Sequence, residues 1–78
     1  MNDEIGVLCL LHNIGAIYPE TSLTDLEIAN SAAMEIGMAR LNLQKLMEAN
    51  YVQTIMVNGN QKYHITGNGI RKVLSIYS

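Results

Sequence analysis

The dipeptide Asn-Gly occurs twice near the end of this chain, at Asn58-Gly59 and again at Asn68-Gly69. It is the strongest short-range signal for a two-residue hairpin turn, because a type I′ turn needs positive φ at both central positions. If both copies turned the chain, the last third would be a β-meander. The residues on either side of each copy separate the two. Tyr51-Val52-Gln53-Thr54-Ile55-Met56-Val57 has the β-branched composition of a strand, and Asn60 to Ile65 forms a second one across the turn. With Asn58 and Gly59 at the tip, Val57 pairs with Asn60. Val52 then faces Ile65 and Thr54 faces Tyr63 on one side, while Gln53 faces His64 and Ile55 faces Lys62 on the other. That register gathers the better apolar pairs on a single face, and His64 is expected on the exposed one. After the second copy, Ile70, Val73, Leu74 and Tyr77 recur at helical spacing with Arg71 and Lys72 off the stripe. Thr66 is a good N-cap, so Gly67, Asn68 and Gly69 are the first turn of a helix. The sequence offers no third strand.

Upstream, residues 3–17 read as a helix with Asp3 and Glu4 in its first turn, where they suit the helix dipole. Its apolar residues fall on two sides: Leu8 and Leu11 with Gly15 on one, Val7, Leu10, Ile14 and Ile17 on the other. A helix apolar on two sides is buried on two sides, one against its own core and one against a second subunit. Pro19 ends this element, and Thr21-Ser22-Leu23 is a short extended link. Thr24-Asp25-Leu26-Glu27 fits a capping box that opens a helix over residues 25–33, with Leu26, Ile28, Ala29 and Ala32 as its apolar positions. A break near residues 34–37 leads to a longer helix over 37–49. There Ala39, Leu43 and Leu46 mark the buried face, Met47 lies on its margin, and Asn50 stands at the C-terminal stop.

Seventy-eight residues predict one domain, residues 1–78. A chain this short is marginal alone, and Cys9, the single cysteine, forms no intramolecular disulfide and reads as a small buried hydrophobe. Oligomerisation is therefore the expected support. The N-terminal apolar stretch is acidic at its start and broken by His12, Asn13 and Gly15, which fits neither a signal peptide nor a membrane span. A soluble, cytoplasmic protein with no membrane partner is expected. Charge is unevenly spread: residues 1–35 hold six acids and no Lys or Arg, whereas residues 36–78 hold five bases and one acid. Such asymmetry points to one side that faces a polyanion.

The order helix, short extended link, helix, helix, strand, strand, helix is mainly α with a small β-hairpin, an α+β architecture. The stretch "LTDLEIANSAAMEIGMARLNLQKLMEANYV" (23–52) and the phrase "KYHITGNG" (62–69) resemble the winged helix-turn-helix of MarR-, PadR- and ArsR-like bacterial or archaeal transcription factors. In the first, Leu46, Ala49, Asn50, Tyr51 and Val52 take the places of the family's helix ending. The second matches the phrase that closes the wing and starts the next helix. The family has Gly near Ala33 and Ser or Thr near Glu35, so the turn between the helices here is expected to be built differently.

The resemblance implies a homodimeric regulator that binds double-stranded DNA, with the helix of residues 37–49 in the major groove and the wing tip at the backbone or minor groove. The outward positions of that helix are Gly37, Leu41, Gln44 and Glu48, with Arg40 and Lys45 on its flanks. Gln44 can read adenine and Leu41 can touch a thymine methyl, whereas Glu48 is unfavourable near phosphates. The expected DNA contacts are Arg40, Leu41, Gln44 and Lys45 on the helix, and Asn58, Asn60, Gln61 and Lys62 on the wing. The expected dimer interface is Val7, Leu10, Ile14, Ile17, Val73, Ile76 and Tyr77. A protein-interaction module is the alternative, suggested by the acidic total and by Met38, Leu41, Ile55 and Val57 on outward faces.

Other chemistry finds little support. His12 and His64 are far apart, with no cysteine or carboxylate at metal-ligand spacing, so neither a metal nor another cofactor is expected. Gly67-Asn68-Gly69 lacks the remaining residues of a phosphate-binding loop. No nucleophile and base stand in a catalytic pattern, and an enzyme is not expected.

Overall fold

In the computed structural model, which describes residues 3–77, the chain runs α1 (Asp3–Asn13), a 3-10 turn (Pro19–Thr21), α2 (Asp25–Ser31), α3 (Ile36–Glu48), β1 (Val52–Val57), β2 (Asn60–Ile65) and α4 (Gly67–Tyr77). This is the mainly helical α+β order expected from the sequence. The two strands form an antiparallel hairpin in the anticipated register, from Val52 opposite Ile65 to Val57 opposite Asn60. At its tip Asn58 and Gly59 have φ of 51° and 81°, the positive values a type I′ turn demands.

The first three helices end in the same way. At the end of α1 the Ala16 N–H donates to the Leu11 carbonyl and the Gly15 N–H to His12; after α2, Met34 donates to Ala29 and Ala33 to Asn30; after α3, Tyr51 donates to Leu46 and Asn50 to Met47. Each is a Schellman motif, in which a residue at positive φ reverses the chain and satisfies two orphan carbonyls. The reversing residues are Gly15, Ala33 and Asn50, at φ of 82°, 53° and 64°. Asn50 is legible from its type. Gly15 shows why a helix to residue 17 is too long: the glycine lies past the end of α1, not on one of its faces. Ala33 takes the left-handed position where the family has glycine, so the turn between α2 and α3 carries local strain.

The core gathers Val7, Leu8 and Leu11 of α1, Ile28 of α2, Leu43 and Leu46 of α3, Val52 and Ile65 of the hairpin and Val73 of α4. Two positions on the expected dimer surface, Val7 and Val73, belong to this interior, with 1% and 0% of their surface exposed. Val7 is buried because α1 packs against α2, α3, α4 and β2, and Val73 is one of the two buried residues of α4, which packs on α1 and β2. Leu26, expected on the apolar face of α2, is exposed instead, so α2 packs through Ile28 and Ala29.

The linker from α1 to α2 covers the free edge of β2. The N–H of Ile65 donates to the Ala16 carbonyl at 2.8 Å, and Leu23 and Tyr63 exchange backbone hydrogen bonds as an isolated antiparallel bridge. Capping the edge in this way removes a site for unwanted strand pairing. It also corrects the expected exposure of His64. The 3-10 turn packs against β2, and His64 is only 5% exposed. Its Nδ1 is buried without a hydrogen-bond partner. Burial lowers its pKa below the ordinary 6.5, against a smaller upward pull from Glu20.

The phrase that opens α4 is tied to the end of α3. The Thr66 hydroxyl donates to the Asn50 carbonyl at 2.7 Å and accepts the Gly69 N–H at 3.0 Å, while the Thr66 N–H donates to the Tyr51 carbonyl at 2.9 Å. Thr66 is thus the N-cap of α4 and a clamp between α4 and the start of the wing. Among the described residues, no helix is long and apolar enough to cross a membrane.

Candidate nucleic-acid interface

Helix α3 is held by its buried row, Ala39, Asn42, Leu43 and Leu46, which leaves the opposite side free. Asn42 escaped the sequence reading because a polar residue does not register in an apolar stripe. It is almost fully buried, and its amide donates to the Met34 sulfur at 3.6 Å, tying the helix to the turn before it. Glu35, at the N-cap, makes no side-chain bond to the first turn of α3, in keeping with the missing Ser or Thr.

The free side of α3 carries Arg40, Leu41, Gln44 and Lys45, all exposed. On the hairpin, Asn58, Asn60 and Gln61 are exposed and Lys62 is half-buried. An open cleft joins the two elements. Arg40, Gln44, Met47 and Glu48 line it from α3, Gln61 and Tyr63 from β2, and Asp25 from the start of α2. Five of the eight expected DNA contacts lie outside this cleft: Leu41 and Lys45 on α3, and Asn58, Asn60 and Lys62 on the wing.

Asp25 is the participant that sequence reasoning missed. Its Oδ2 accepts the Arg40 Nε–H at 2.8 Å, and its Oδ1 accepts the Leu26 N–H at 2.7 Å. The Arg40 hydrogen bond is the main force that holds the Asp25 carboxyl below its ordinary range. Asp25 and Arg40 are separated by the whole turn between α2 and α3, so no local spacing reveals the pair. The capping box beside it is as expected: the Thr24 N–H donates to Glu27 Oε1 at 2.9 Å, and the Glu27 N–H donates to Thr24 Oγ1 at 3.2 Å. These bonds to Thr24 lower the Glu27 pKa, with a smaller contribution from the positive charge of Lys62. Two cations of the face, Arg40 and Lys62, therefore each feel a carboxylate of α2.

The anticipated dimer residues outside the core lie on α1, on the segment after it and on α4. Ile14 beyond α1 and Ile76 and Tyr77 on α4 are exposed, and Leu10 and Ile17 are half-buried. Helices α1 and α4 pack together, so these positions belong to neighbouring elements. Leu74 adds to the exposed side of α4. Among the described residues, no group of three or more His, Cys, Asp or Glu is placed to hold a metal ion.

No protein-family model matches this sequence, and no curated protein matches it. Solved structures do. The chain is similar to a DNA-binding TubR fragment from Clostridium botulinum, with 27% identity and a TM-score of 0.83 over 97% of this chain and 96% of that one. It is similar in fold to a mutant of MepR from S. aureus, with 16% identity and a TM-score of 0.82 over 99% of this chain and 56% of that one. A third likeness is to a homodimeric winged helix-turn-helix DNA-binding domain from Mycobacterium bovis, at 21% identity and a TM-score of 0.68, over 92% of this chain and 64% of that one. With α2 and α3 as its helix-turn-helix and the β1–β2 hairpin as its wing, the chain has the winged helix-turn-helix fold shared with these structures.

Proposed function

We propose that this chain is a homodimeric, sequence-specific double-stranded DNA-binding protein that regulates transcription, with residues 1–78 as one winged-helix domain acting in the cytoplasm. Helix α3 enters the major groove, where Arg40, Leu41, Gln44 and Lys45 meet the DNA. The wing, through Asn58, Asn60, Gln61 and Lys62, lies along the backbone or minor groove. The observation that carries this proposal is the exposed row of α3 standing beside a type I′ wing, in a fold shared with a DNA-binding TubR fragment. The exposed Ile14, Ile76 and Tyr77 beside Leu10 and Ile17 form the contact between two copies, and a two-fold dimer presents two recognition helices to successive grooves. No reaction is assigned to the protein.

Titration of duplex DNA at two salt concentrations tests the proposal. Binding that weakens steeply with salt is expected, because Lys45 and Lys62 displace condensed counterions. Absence of binding at low salt, or binding indifferent to salt, rules it out.

A second function is favoured by one observation, the α2 carboxylates near Arg40 and Lys62. A face with its cations so offset, and with Met38, Leu41 and Met56 exposed, also suits a protein partner. Reversing the charge of Arg40 and Lys45 abolishes DNA binding in the first case and leaves partner binding nearly unchanged in the second.

A further inference from the structure

Three features are left unexplained by the function proposed for the chain: the buried, unpartnered Nδ1 of His64, the cleft between α3 and the wing, and the carboxylate of Asp25 held against Arg40 on the edge of that cleft. The pair carries an inference furthest. We propose that Arg40 and Asp25 act as one base-reading unit, in which Asp25 fixes the guanidinium and Arg40 reads a guanine in the major groove. This rests on the proposed DNA-binding function.

The first support is geometric. Asp25 takes only the Nε–H of Arg40. Nη1 and Nη2 donate to no protein group among the described residues, and the side chain is 62% exposed. The free edge of the guanidinium is the fork that matches O6 and N7 of guanine. Asp25 is itself fixed, since its other oxygen accepts the Leu26 N–H within a helix start closed by the Thr24–Glu27 capping box. A long, rotamer-rich side chain is thereby anchored at its neck and left open at its tip. Arg40 also sits in the first half of α3, the part of a recognition helix that reaches base edges.

The second support is electrostatic and decides between base and phosphate. Phosphate binding gains from counterion release, which requires net positive charge. Arg40 with a carboxylate at 2.8 Å has little net charge to offer, and a phosphate oxygen brought to it would also approach Asp25. Directional hydrogen bonds to the neutral acceptors of guanine need no net charge. Lys45 is the contrast: it is exposed on the opposite flank of α3 and has no ion pair among the described residues, so it is suited to phosphate. The pair therefore supplies sequence preference and Lys45 supplies salt-dependent affinity. Asp25 is a positioning residue in this division, because it acts through Arg40.

Selection of bound sequences from a random duplex pool tests the assignment, using the whole chain and its Asp25→Asn, Asp25→Glu, Arg40→Lys and Lys45→Gln variants, with the salt slope measured on the selected duplex. The unaltered chain should select a G·C pair at one fixed position of each half-site. Arg40→Lys and Asp25→Asn should lose that preference by about 10-fold while still binding duplex of any sequence. Asp25→Glu should restore part of it. Lys45→Gln should keep the preference and lower the salt slope by about one unit. An Asp25→Asn variant with the full preference, or with affinity raised equally for all sequences, overturns the proposal, since the carboxylate then only masks Arg40. Selection of sites without a fixed G·C pair overturns it as well. Failure of the unaltered chain to bind any duplex at low salt is a different result, and removes the DNA-binding function itself.

Discussion

Gly69 lies directly against the carbonyl oxygen of Tyr51, so close that a Cβ at this position would run into that oxygen and into the Ile65 side chain. The contact sits where α4 docks on the junction of α3 and β1, beside the Thr66 bonds to Asn50 and Tyr51.

Gly69→Ala should therefore destabilise the fold by about 2–3 kcal/mol, the upper range for forcing atoms into a packed site, because the obstacle is backbone and cannot rotate away. Gly67 is the control. A Cβ there meets only the tip of the Arg71 side chain, and Gly67→Ala should stabilise by about 0.4–1 kcal/mol through the unfolded chain. Urea unfolding of the two variants measures the contrast, and equal effects would show that the docking contact is unimportant.

Ala33 holds a left-handed conformation at the helix-turn-helix corner with no side-chain benefit visible for it. That conformation costs an L-residue about 1–2 kcal/mol, and glycine recovers it at the expense of a freer unfolded chain. Ala33→Gly should raise stability by about 0.5–1 kcal/mol in thermal unfolding. Gly15→Ala, at the equivalent position after α1, should lower it.

His64 makes stability depend on pH. Its folded-state pKa lies below the ordinary 6.5 because burial disfavours the charged ring, so the unfolded chain takes up the proton more readily. The stabilisation from neutral His64 is complete above pH 6.5 and is lost as pH falls below that value toward the folded-state pKa, with a slope of at most about 1.4 kcal/mol per unit. His64→Leu should flatten the unfolding free energy as pH falls below about 6.5 while leaving its slope above that value unchanged. The difference between the two proteins isolates this residue, since every other group titrates in both.

Self-association is open to a direct measurement. At micromolar concentration the chain should sediment with the mass of two copies. Ile14→Lys combined with Tyr77→Lys should give a monomer with unchanged circular dichroism, because both side chains are exposed in the protomer and a charge there damages only the contact between copies. A single-chain mass for the unaltered protein would rule out the dimer, whereas Val7→Lys should unfold the protomer itself.

The hairpin, its register and the contrast between the two Asn-Gly dipeptides were legible in the sequence because each depends on neighbours within a few residues. Positive φ at Asn58 and Gly59 is a demand of the turn, and the alternation of Val52, Thr54, Tyr63 and Ile65 leaves one register that buries the apolar pairs together. The Thr24 capping box, the stop at Asn50 and the Thr66 start of α4 are local in the same sense.

Tertiary structure decided what depends on chain that is distant in sequence. His64 alternates with core residues and should have been exposed, but the 3-10 turn of a linker more than forty residues upstream packs against β2, and His64 is buried. Val7 and Val73 stand on apolar stripes that fit a contact between copies, yet both enter the protomer's own core, because α1 packs against α2, α3, α4 and β2, and α4 packs on α1 and β2 with Val73 buried. Arg40 reads in sequence as a free cation on a helix surface. Only the reversal at Ala33 turns α3 back on α2 and brings Asp25 to its Nε. Local conformational energies set the elements and their ends, whereas the charge and exposure of the proposed binding face depend on which elements pack together.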